Sequence, residues 1–282
     1  MTTEESGLAR FGSRELALAG VLALAITTSA VAFPMLVDAR PAYEIPVDQQ
    51  SDPGDLAEPT GDDWGDVPAA SVPLSSAGAA VPGGDDTAVE GARVEAARTS
   101  DQLYLRLSWS DTSENRSTES LNEFADAAAV QLPANGTDRP PIAMGSTSNP
   151  VNVWYWSGDD TTEALLAGGA GTTTEMEGTN LETAATHEDG RWNVVFTRPL
   201  AADGENVADA TATNEMDVAF AVWEGSNAER SGQKATTEWY YLALEPDTSA
   251  APYETILWTV AGLAIVLTTL VTVEGVRRTR GD

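Results

Sequence analysis

The chain has 282 residues, and its 44 aspartates and glutamates against 15 lysines and arginines give it a formal net charge of −29. This balance argues against nucleic-acid binding, which needs a basic face, and acidic residues spread along the whole chain are typical of proteins adapted to high salt. The absence of cysteine excludes disulfides, zinc–thiolate sites, iron–sulfur clusters and covalently attached c-type haem.

Two long apolar segments predict membrane-spanning helices. Residues 16–37 and 254–276 are each long enough to cross a hydrocarbon core of about 30 Å. Arginines precede the first segment and follow the second, so the positive-inside rule predicts cytoplasmic termini (residues 1–15 and 277–282) and a large exterior domain between the spans. The small residues Ala30-Val31-Ala32 also resemble a cleavage site, which leaves a secretory signal as the alternative for the first segment.

The exterior portion divides into a linker and a strand-rich domain. Residues 38–63 are rich in proline, aspartate and glycine without an apolar period, which predicts a linker. Over residues 64–246, short strand-like runs alternate with turn clusters, and this pattern predicts an all-β fold, an antiparallel β-sandwich flanked by the two transmembrane helices. The predicted strands cover residues 89–97, 102–109, 127–132, 151–156, 191–197, 218–224 and 237–244.

Hydrolytic chemistry has little support in the sequence. The lone histidine, His187, lies in Thr186-His187-Glu188-Asp189-Gly190, which predicts an exposed residue in a turn between strands. No Gly-x-Ser-x-Gly motif and no Asp-x-Asp-x-Asp-Gly calcium loop occurs. Carboxylate pairs carry no information in a chain this acidic.

The single lysine, Lys234, stands among fourteen arginines. An arginine cannot donate a lone pair, whereas a desolvated lysine amine can lose its proton and act as a base, a nucleophile or a metal ligand. A leftover surface lysine is the alternative. Met144 is a second candidate, because a thioether and a neutral amine are both competent ligands of haem iron, although methionine is more often a core residue.

Several motifs, in matching order over about residues 64–244, carry a resemblance to a known family. They are Phe124-Ala125-Asp126-Ala127, Met144-Gly145, Asn149-Pro150-Val151-Asn152-Val153-Trp154-Tyr155-Trp156, Asp189-Gly190-Arg191-Trp192, Arg198-Pro199-Leu200, Phe220-Ala221-Val222-Trp223-Glu224-Gly225-Ser226-Asn227 and Gly232-Gln233-Lys234. Together they resemble the haem-binding γ subunit of ethylbenzene dehydrogenase, a family shared by molybdenum oxidoreductases of the dimethyl sulfoxide reductase superfamily.

The resemblance implies a β-sandwich that holds one non-covalent haem b. By position, Met144 and Lys234 match the two axial ligands of the iron in that family. We expect the haem pocket to include aromatic residues and one arginine for the propionates: Phe124, Trp154, Trp156, Trp239 and Arg198. With both axial positions filled, the haem would transfer electrons and do no bond chemistry, so the chain is expected not to be an enzyme by itself.

The resemblance also implies a place in a larger complex. The expected partners are a molybdopterin catalytic subunit, an iron–sulfur subunit and a membrane cytochrome b, Rieske-type or quinol-oxidising protein. The two apolar spans depart from soluble family members and favour a cell-membrane respiratory complex, with nitrate reductase ahead of dimethyl sulfoxide or chlorate reductase. The rival hypotheses are a membrane-tethered β-sandwich that binds carbohydrate or envelope material, and a structural anchor without haem.

Overall fold

Fourteen strands and two short 3-10 helices make up the regular structure of the described residues. The computed structural model describes residues 43–117, 121, 123–134, 139–201, 204, 206–211 and 214–244. The strands are β1 Glu44–Gln49, β2 Ala69–Pro73, β3 Ser75–Ser76, β4 Gly91–Arg98, β5 Gln102–Ser110, β6 Ala127–Pro133, β7 Val151–Ser157, β8 Thr162–Ala167, β9 Thr173–Glu175, β10 Glu182–Glu188, β11 Arg191–Pro199, β12 Glu215–Trp223, β13 Ala235–Thr236 and β14 Tyr240–Ala243. The 3-10 helices are Asp62–Gly65 and Gly225–Asn227.

The predicted membrane spans, residues 16–37 and 254–276, lie outside the described residues. Within the part of the chain that the structure describes, no helix has the length and apolar character needed to cross a membrane.

All fourteen strands belong to one sheet that curls on itself. Its order is β10-β11-β5-β4-β1-β14-β12-β6-β7-β8-β9, with β2 paired to β4 and β13 paired to both β12 and β3. Strand β1 runs parallel to β14 and β4, and the other pairs are antiparallel. We call the part from β10 to β4 the first half of the sheet, and the part from β14 to β9 the second half.

The main core lies between the two halves. Alternate side chains of the longer central strands point into it, as the two-residue period of a strand requires. The first half contributes Leu105, Leu107, Trp109, Trp192, Val194 and Phe196, and the second half contributes Val130, Trp154, Trp156, Phe220 and Val222. Each large apolar side chain buried in this way stabilises the fold by roughly 1.5–3 kcal/mol. The prediction of an all-β, sandwich-like fold is therefore confirmed.

The prediction of a linker over residues 38–63 is wrong for the described part of that range. Ile45 and Val47 point inward from β1 at 0% and 9% exposure, and β1 joins the two halves of the sheet. Further along, Leu56 and Trp64 pack on the outer face of the first half. Two apolar residues in a six-residue strand are too few to show a period, and the strand forms only because residues far along the chain pair with it.

The seven predicted strands all form, with ends that differ by at most three residues. Strands such as β10 and β13 were missed, because runs of threonine and alanine give no clear apolar alternation. The prediction of a turn at His187 is wrong. The two-residue turn is Asp189-Gly190, at φ 51° and 71°, and His187 lies within β10 opposite Trp192. Its imidazole is 11% exposed, and its Nε2 lies 3.0 Å from the Asp111 carbonyl oxygen.

Candidate functional site

The outer face of the second half carries an apolar cluster of its own. Its floor is contributed by alternate residues of four adjacent strands, namely Ala219, Ala221 and Trp223 of β12, Ala127 and Ala129 of β6, Val151, Val153 and Tyr155 of β7, and Leu165 and Ala167 of β8. The four alanines at its centre leave the floor low and flat, because their side chains end at Cβ. A planar group could therefore lie against this part of the sheet.

Residues 140–149 lie against this face and bring Met144 to the cluster. The half-buried Met144 side chain packs against the cluster. Met144 and Gly145 both have left-handed backbone, at φ 64° and 70°. The Gly145 amide donates to the Pro141 carbonyl at 2.9 Å, and the Met144 carbonyl accepts from the Gly169 amide at 2.8 Å. The methionine therefore lies in a tight turn that is fixed on both sides.

Two side chains from the sheet also hold this turn. The indole Nε1 of Trp239 donates to the Pro140 carbonyl at 3.1 Å, and its ring belongs to the cluster. The amide Nε2 of Gln131 donates to the Ile142 carbonyl at 3.1 Å. The polypeptide around Met144 is thus tied to β6 and to the segment that precedes β14.

Lys234 reaches the same cluster from the other side of β12. The pairing of Ala221 with Thr236 and of Val222 with Ala235 continues by one residue to put Lys234 opposite Trp223. The amine Nζ lies 4.9 Å from the centroid of the Trp223 ring. Burial lowers the pKa of Lys234 below its ordinary value of 10.5. None of the ion pairs found among the described residues includes Lys234.

The other predicted site residues are placed differently. Trp154 and Trp156 belong to the main core between the two halves, where the ring of Trp156 lies 4.9 Å from that of Trp192. The guanidinium of Arg198 lies 5.3 Å from the Trp154 ring. The alternation of β7 sends Val153 and Tyr155 outward and the two tryptophans inward. The structure does not bring Trp154, Trp156 and Arg198 to the cluster that holds Met144.

Phe124 lies before β6, half-buried, with the Arg230 guanidinium 4.6 Å from its ring centroid. Among the predicted pocket residues, Trp239 is the one that the structure brings to the cluster beside Met144. The alanine floor and Gln131 were not recognised from the sequence. Their signal was the run of alanines that opens β6 and the alternation of small and large residues in β12. This signal becomes informative only once the outward face of the sheet is known.

The amino-acid sequence of this chain matches a known protein family. Residues 61–180 and 169–235 match a family model described as ethylbenzene dehydrogenase. A protein of Haloferax mediterranei that carries the name respiratory nitrate reductase heme subunit is 49% identical over 269 residues, which is 95% of this chain and 98% of that protein. The chain belongs to the ethylbenzene dehydrogenase γ-subunit-like family. The resemblance inferred from the sequence motifs is confirmed.

Two further relatives of this family are shorter matches. The chlorate reductase subunit gamma of Ideonella dechloratans is 37% identical over 194 residues, 67% of this chain and 80% of that protein. The dimethylsulfide dehydrogenase subunit gamma of Rhodovulum sulfidophilum is 34% identical over 168 residues, 56% of this chain and 62% of that protein. All three relatives carry the names of heme or gamma subunits. The prediction of a non-catalytic electron-transfer subunit of an oxidoreductase complex is therefore confirmed at the level of the family.

One solved structure with a similar backbone is a family 9 carbohydrate binding module from Caldicellulosiruptor kristjanssonii in complex with glucose. It is 14% identical, with a TM-score of 0.46, and the match covers 74% of this chain and 99% of that chain. A structural similarity this weak says nothing about the function of this member of the ethylbenzene dehydrogenase γ-subunit-like family.

Proposed function

We propose that this protein is the haem b subunit of an outward-facing, membrane-bound molybdenum oxidoreductase complex, with Met144 and Lys234 as the axial ligands of the iron. The observation that carries the proposal is the meeting of two side chains at one apolar cluster. A methionine and the chain's single lysine, which lie 90 residues apart, both contact the alanine-floored face of the second half.

The residues at this face suit a haem. A thioether is a soft ligand that favours ferrous iron, and an amine can bind iron only when it is neutral. Burial lowers the pKa of Lys234, which brings the amine closer to that neutral form. The short side chains of the floor leave room for a planar macrocycle. When bound, haem supplies one-electron transfer.

The chain's own residues would bind the group, orient it and exclude water. Trp223 lies beside the Lys234 amine and confines it on one side, while Trp239 and Gln131 hold the turn that presents Met144. Val153 and Trp239, at 7% exposure each, line an environment with little water. With sulfur and nitrogen in the two axial positions, no open position would remain for substrate or oxygen.

The names of the relatives support a place in a complex. Because the Haloferax protein is named as a nitrate reductase subunit, we propose a nitrate reductase complex. The alternatives are chlorate reductase, which the name of the Ideonella relative supports, and dimethyl sulfoxide reductase. The partners would be a molybdopterin subunit, an iron–sulfur subunit and a quinol-oxidising membrane protein. The apolar segments at residues 16–37 and 254–276 would keep both termini in the cytoplasm and this domain outside.

The test is the visible absorption spectrum of the full-length protein after expression with ample haem. We expect a reducible, low-spin b-type spectrum that is lost in Met144→Ala and in Lys234→Arg, with haem affinity lowered by about 10–100-fold. Lys234→Arg keeps the positive charge but has no lone pair to donate, and Met144→His should restore a low-spin form.

The matched control is Trp154→Phe, which alters an aromatic residue in the main core and should keep the spectrum. A colourless protein, or an unchanged spectrum in Lys234→Arg, would rule the proposal out. Sugar binding that persists in Lys234→Arg would then favour a carbohydrate-binding module.

A further inference from the structure

The propionates of a haem need a cation in this protein. Both are carboxylates that are ionised at neutral pH, and adding negative charge to a chain with a net charge of −29 is unfavourable unless a cation lies nearby. Arg198, the arginine expected from the sequence to take this role, is 3% exposed and lies beside Trp154, away from the cluster that holds Met144. A haem at the cluster would therefore need a different cation.

The floor of the cluster has an acidic margin along β8 and β9. Glu163 pairs with Tyr155 across β7 and β8, and Glu175 pairs with Leu165 across β8 and β9. Residues that pair directly across two strands share a face of the sheet, so both glutamates extend from the outward face, beside the floor. Their carboxylates would repel a propionate placed at this margin.

The opposite margin of the floor, beyond β12, carries two cations. One is Lys234, which the register of β12 and β13 places opposite Trp223. The other is Arg230, which a tight turn joins to Lys234, since the Gln233 amide donates to the Arg230 carbonyl at 2.9 Å. The indole of Trp223 donates to the Ser231 carbonyl at 3.2 Å. Because Trp223 belongs to the cluster, this bond holds the backbone next to Arg230 against the candidate site.

The Arg230 side chain is accessible to a ligand. It is exposed, and its guanidinium lies 4.6 Å from the centroid of the Phe124 ring, in the segment that leads into β6. Its Nη1 donates to the Ala228 carbonyl at 3.0 Å. None of the ion pairs found in the described part of the chain includes Arg230. The ring and the carbonyl thus hold the guanidinium in place without neutralising its charge.

The acidic residues of the loop between β12 and β13 have other partners. The Glu229 carboxylate is 1% exposed and accepts hydrogen bonds from the Ala88 amide at 2.7 Å and from the Glu224 amide at 3.1 Å. The Glu224 carboxylate accepts a hydrogen bond from the Ser226 hydroxyl. Because neither carboxylate forms an ion pair with the guanidinium, the charge of Arg230 remains available to a ligand.

We propose that Arg230 binds a propionate of the haem, so that the propionate edge points toward the loop between β12 and β13 and away from Glu163 and Glu175. This inference rests on the proposed haem function, and it adds the residue that recognises the carboxylate edge of the group. A guanidinium suits this role because its planar fork can donate two parallel hydrogen bonds to one carboxylate.

The experiment compares haem b with its dimethyl ester, in which the propionates carry no charge. Full-length apoprotein, either unaltered or Arg230→Gln, is titrated with each form at one salt concentration, and binding is followed by visible absorbance. The ratio of the two dissociation constants should favour haem b about 10–100-fold more in the unaltered protein than in Arg230→Gln. The reason is that the charge-assisted hydrogen bond exists only when the guanidinium and the free propionate are both present.

Two further variants serve as controls. Arg230→Lys keeps the charge and should retain most of the preference for haem b. Arg139→Gln removes the same charge from an arginine that is already paired with Asp217, whose Oδ1 lies 3.1 Å from the Arg139 Nε, and should leave the ratio unchanged. Because each ratio is measured within one variant, a change in stability alone does not alter it.

Two results would overturn the proposal. One is the same ratio of dissociation constants in the unaltered protein and in Arg230→Gln. The other is a ratio that Arg139→Gln lowers and Arg230→Gln does not, which would make Arg139 the residue that binds the propionate. If neither form of haem gives a low-spin b-type spectrum with the unaltered protein, the proposed function itself fails.

Discussion

Asp126 is a carboxylate with 0% exposure, and it directly precedes β6, a floor strand of the candidate site. It accepts hydrogen bonds from the Asn115 amide at 2.7 Å, the Trp192 indole at 3.0 Å and the Gly225 amide at 2.8 Å. These donors come from three segments that are distant in sequence, so the carboxylate ties them together. Burial raises the pKa of Asp126 to about 6, although the three donors act in the opposite direction.

Replacing this carboxylate should change the pH dependence of stability. The raised pKa means that the folded state binds a proton more tightly than the unfolded state, whose value is 3.8. The contribution of Asp126 to the free energy of unfolding is therefore greatest below 3.8 and is lost as pH rises through about 6. We expect Asp126→Asn to be destabilised by about 1–3 kcal/mol, because it loses an acceptor for buried donors.

The difference in the free energy of unfolding between the unaltered protein and Asp126→Asn should be larger at pH 4 than at pH 7. Urea unfolding of the full-length chain measures it. Asp189→Asn removes a carboxylate from the exposed hairpin turn and serves as the control. An equal difference in the free energy of unfolding at both pH values would contradict the raised pKa of Asp126.

At the scale of elements, the turn that carries Met144 depends on backbone conformation. Gly145 follows Met144 with φ 70°, in the left-handed region that glycine adopts most easily. A Cβ built on Gly145 would lie 2.7 Å from the Asn149 carbonyl oxygen and 3.2 Å from Val151 Cγ1. Glycine at position 145 is therefore a requirement of the backbone, directly beside the proposed ligand Met144.

Gly145→Ala should both destabilise the domain and displace Met144. We expect a loss of about 2–3 kcal/mol, of which about 1 kcal/mol is conformational strain and the rest comes from the clash. Gly178→Ala is a matched control, since Gly178 has φ 73° but open space around its Cβ. Urea unfolding measures the first effect and the haem spectrum the second. If Gly145→Ala and Gly178→Ala have the same stability and the same haem spectrum, the close contact at Gly145 does not position Met144.

At the scale of the whole molecule, the net charge of −29 governs the response to salt. Among the described residues, the buried carboxylates are Glu95, Asp111, Asp126 and Glu229. The mutual repulsion of the more exposed carboxylates destabilises the compact state. Raising the ionic strength from about 0.1 to about 1 M shortens the Debye length from about 10 to about 3 Å and should screen this repulsion.

The full-length protein should therefore become more stable as salt is added. We expect the urea midpoint to rise with NaCl and most of the gain to be reached by about 1 M, as screening saturates. Sodium sulfate at equal ionic strength is the comparison. Because sulfate is excluded from the protein surface, it should continue to stabilise the folded state above about 1 M ionic strength. A midpoint that stays constant or falls with added NaCl would contradict an adaptation to high salt.

Much of this architecture could be predicted from local sequence. The seven strands with clear apolar alternation were predicted, because a run such as residues 151–156 has no competing helical period. The assignment of Lys234 and Met144 as haem ligands, made from the chemistry of an amine and a thioether and from the family motifs, stays a prediction. Strands such as β10 could not be predicted, since threonine and alanine bury too little apolar surface to set a pattern.

The sequence by itself determined the strand-rich class, the exclusion of cysteine chemistry and the two candidate ligands. Only the tertiary structure decided which side of β7 faces the core, and so it sends Trp154 and Trp156 inward and Tyr155 outward to the floor. Alternation fixes which residues share a face, but it treats the two faces alike, and only packing against another layer distinguishes them. The place of β1 was decided in the same way, since Glu44 pairs with Tyr241 from the far end of the domain.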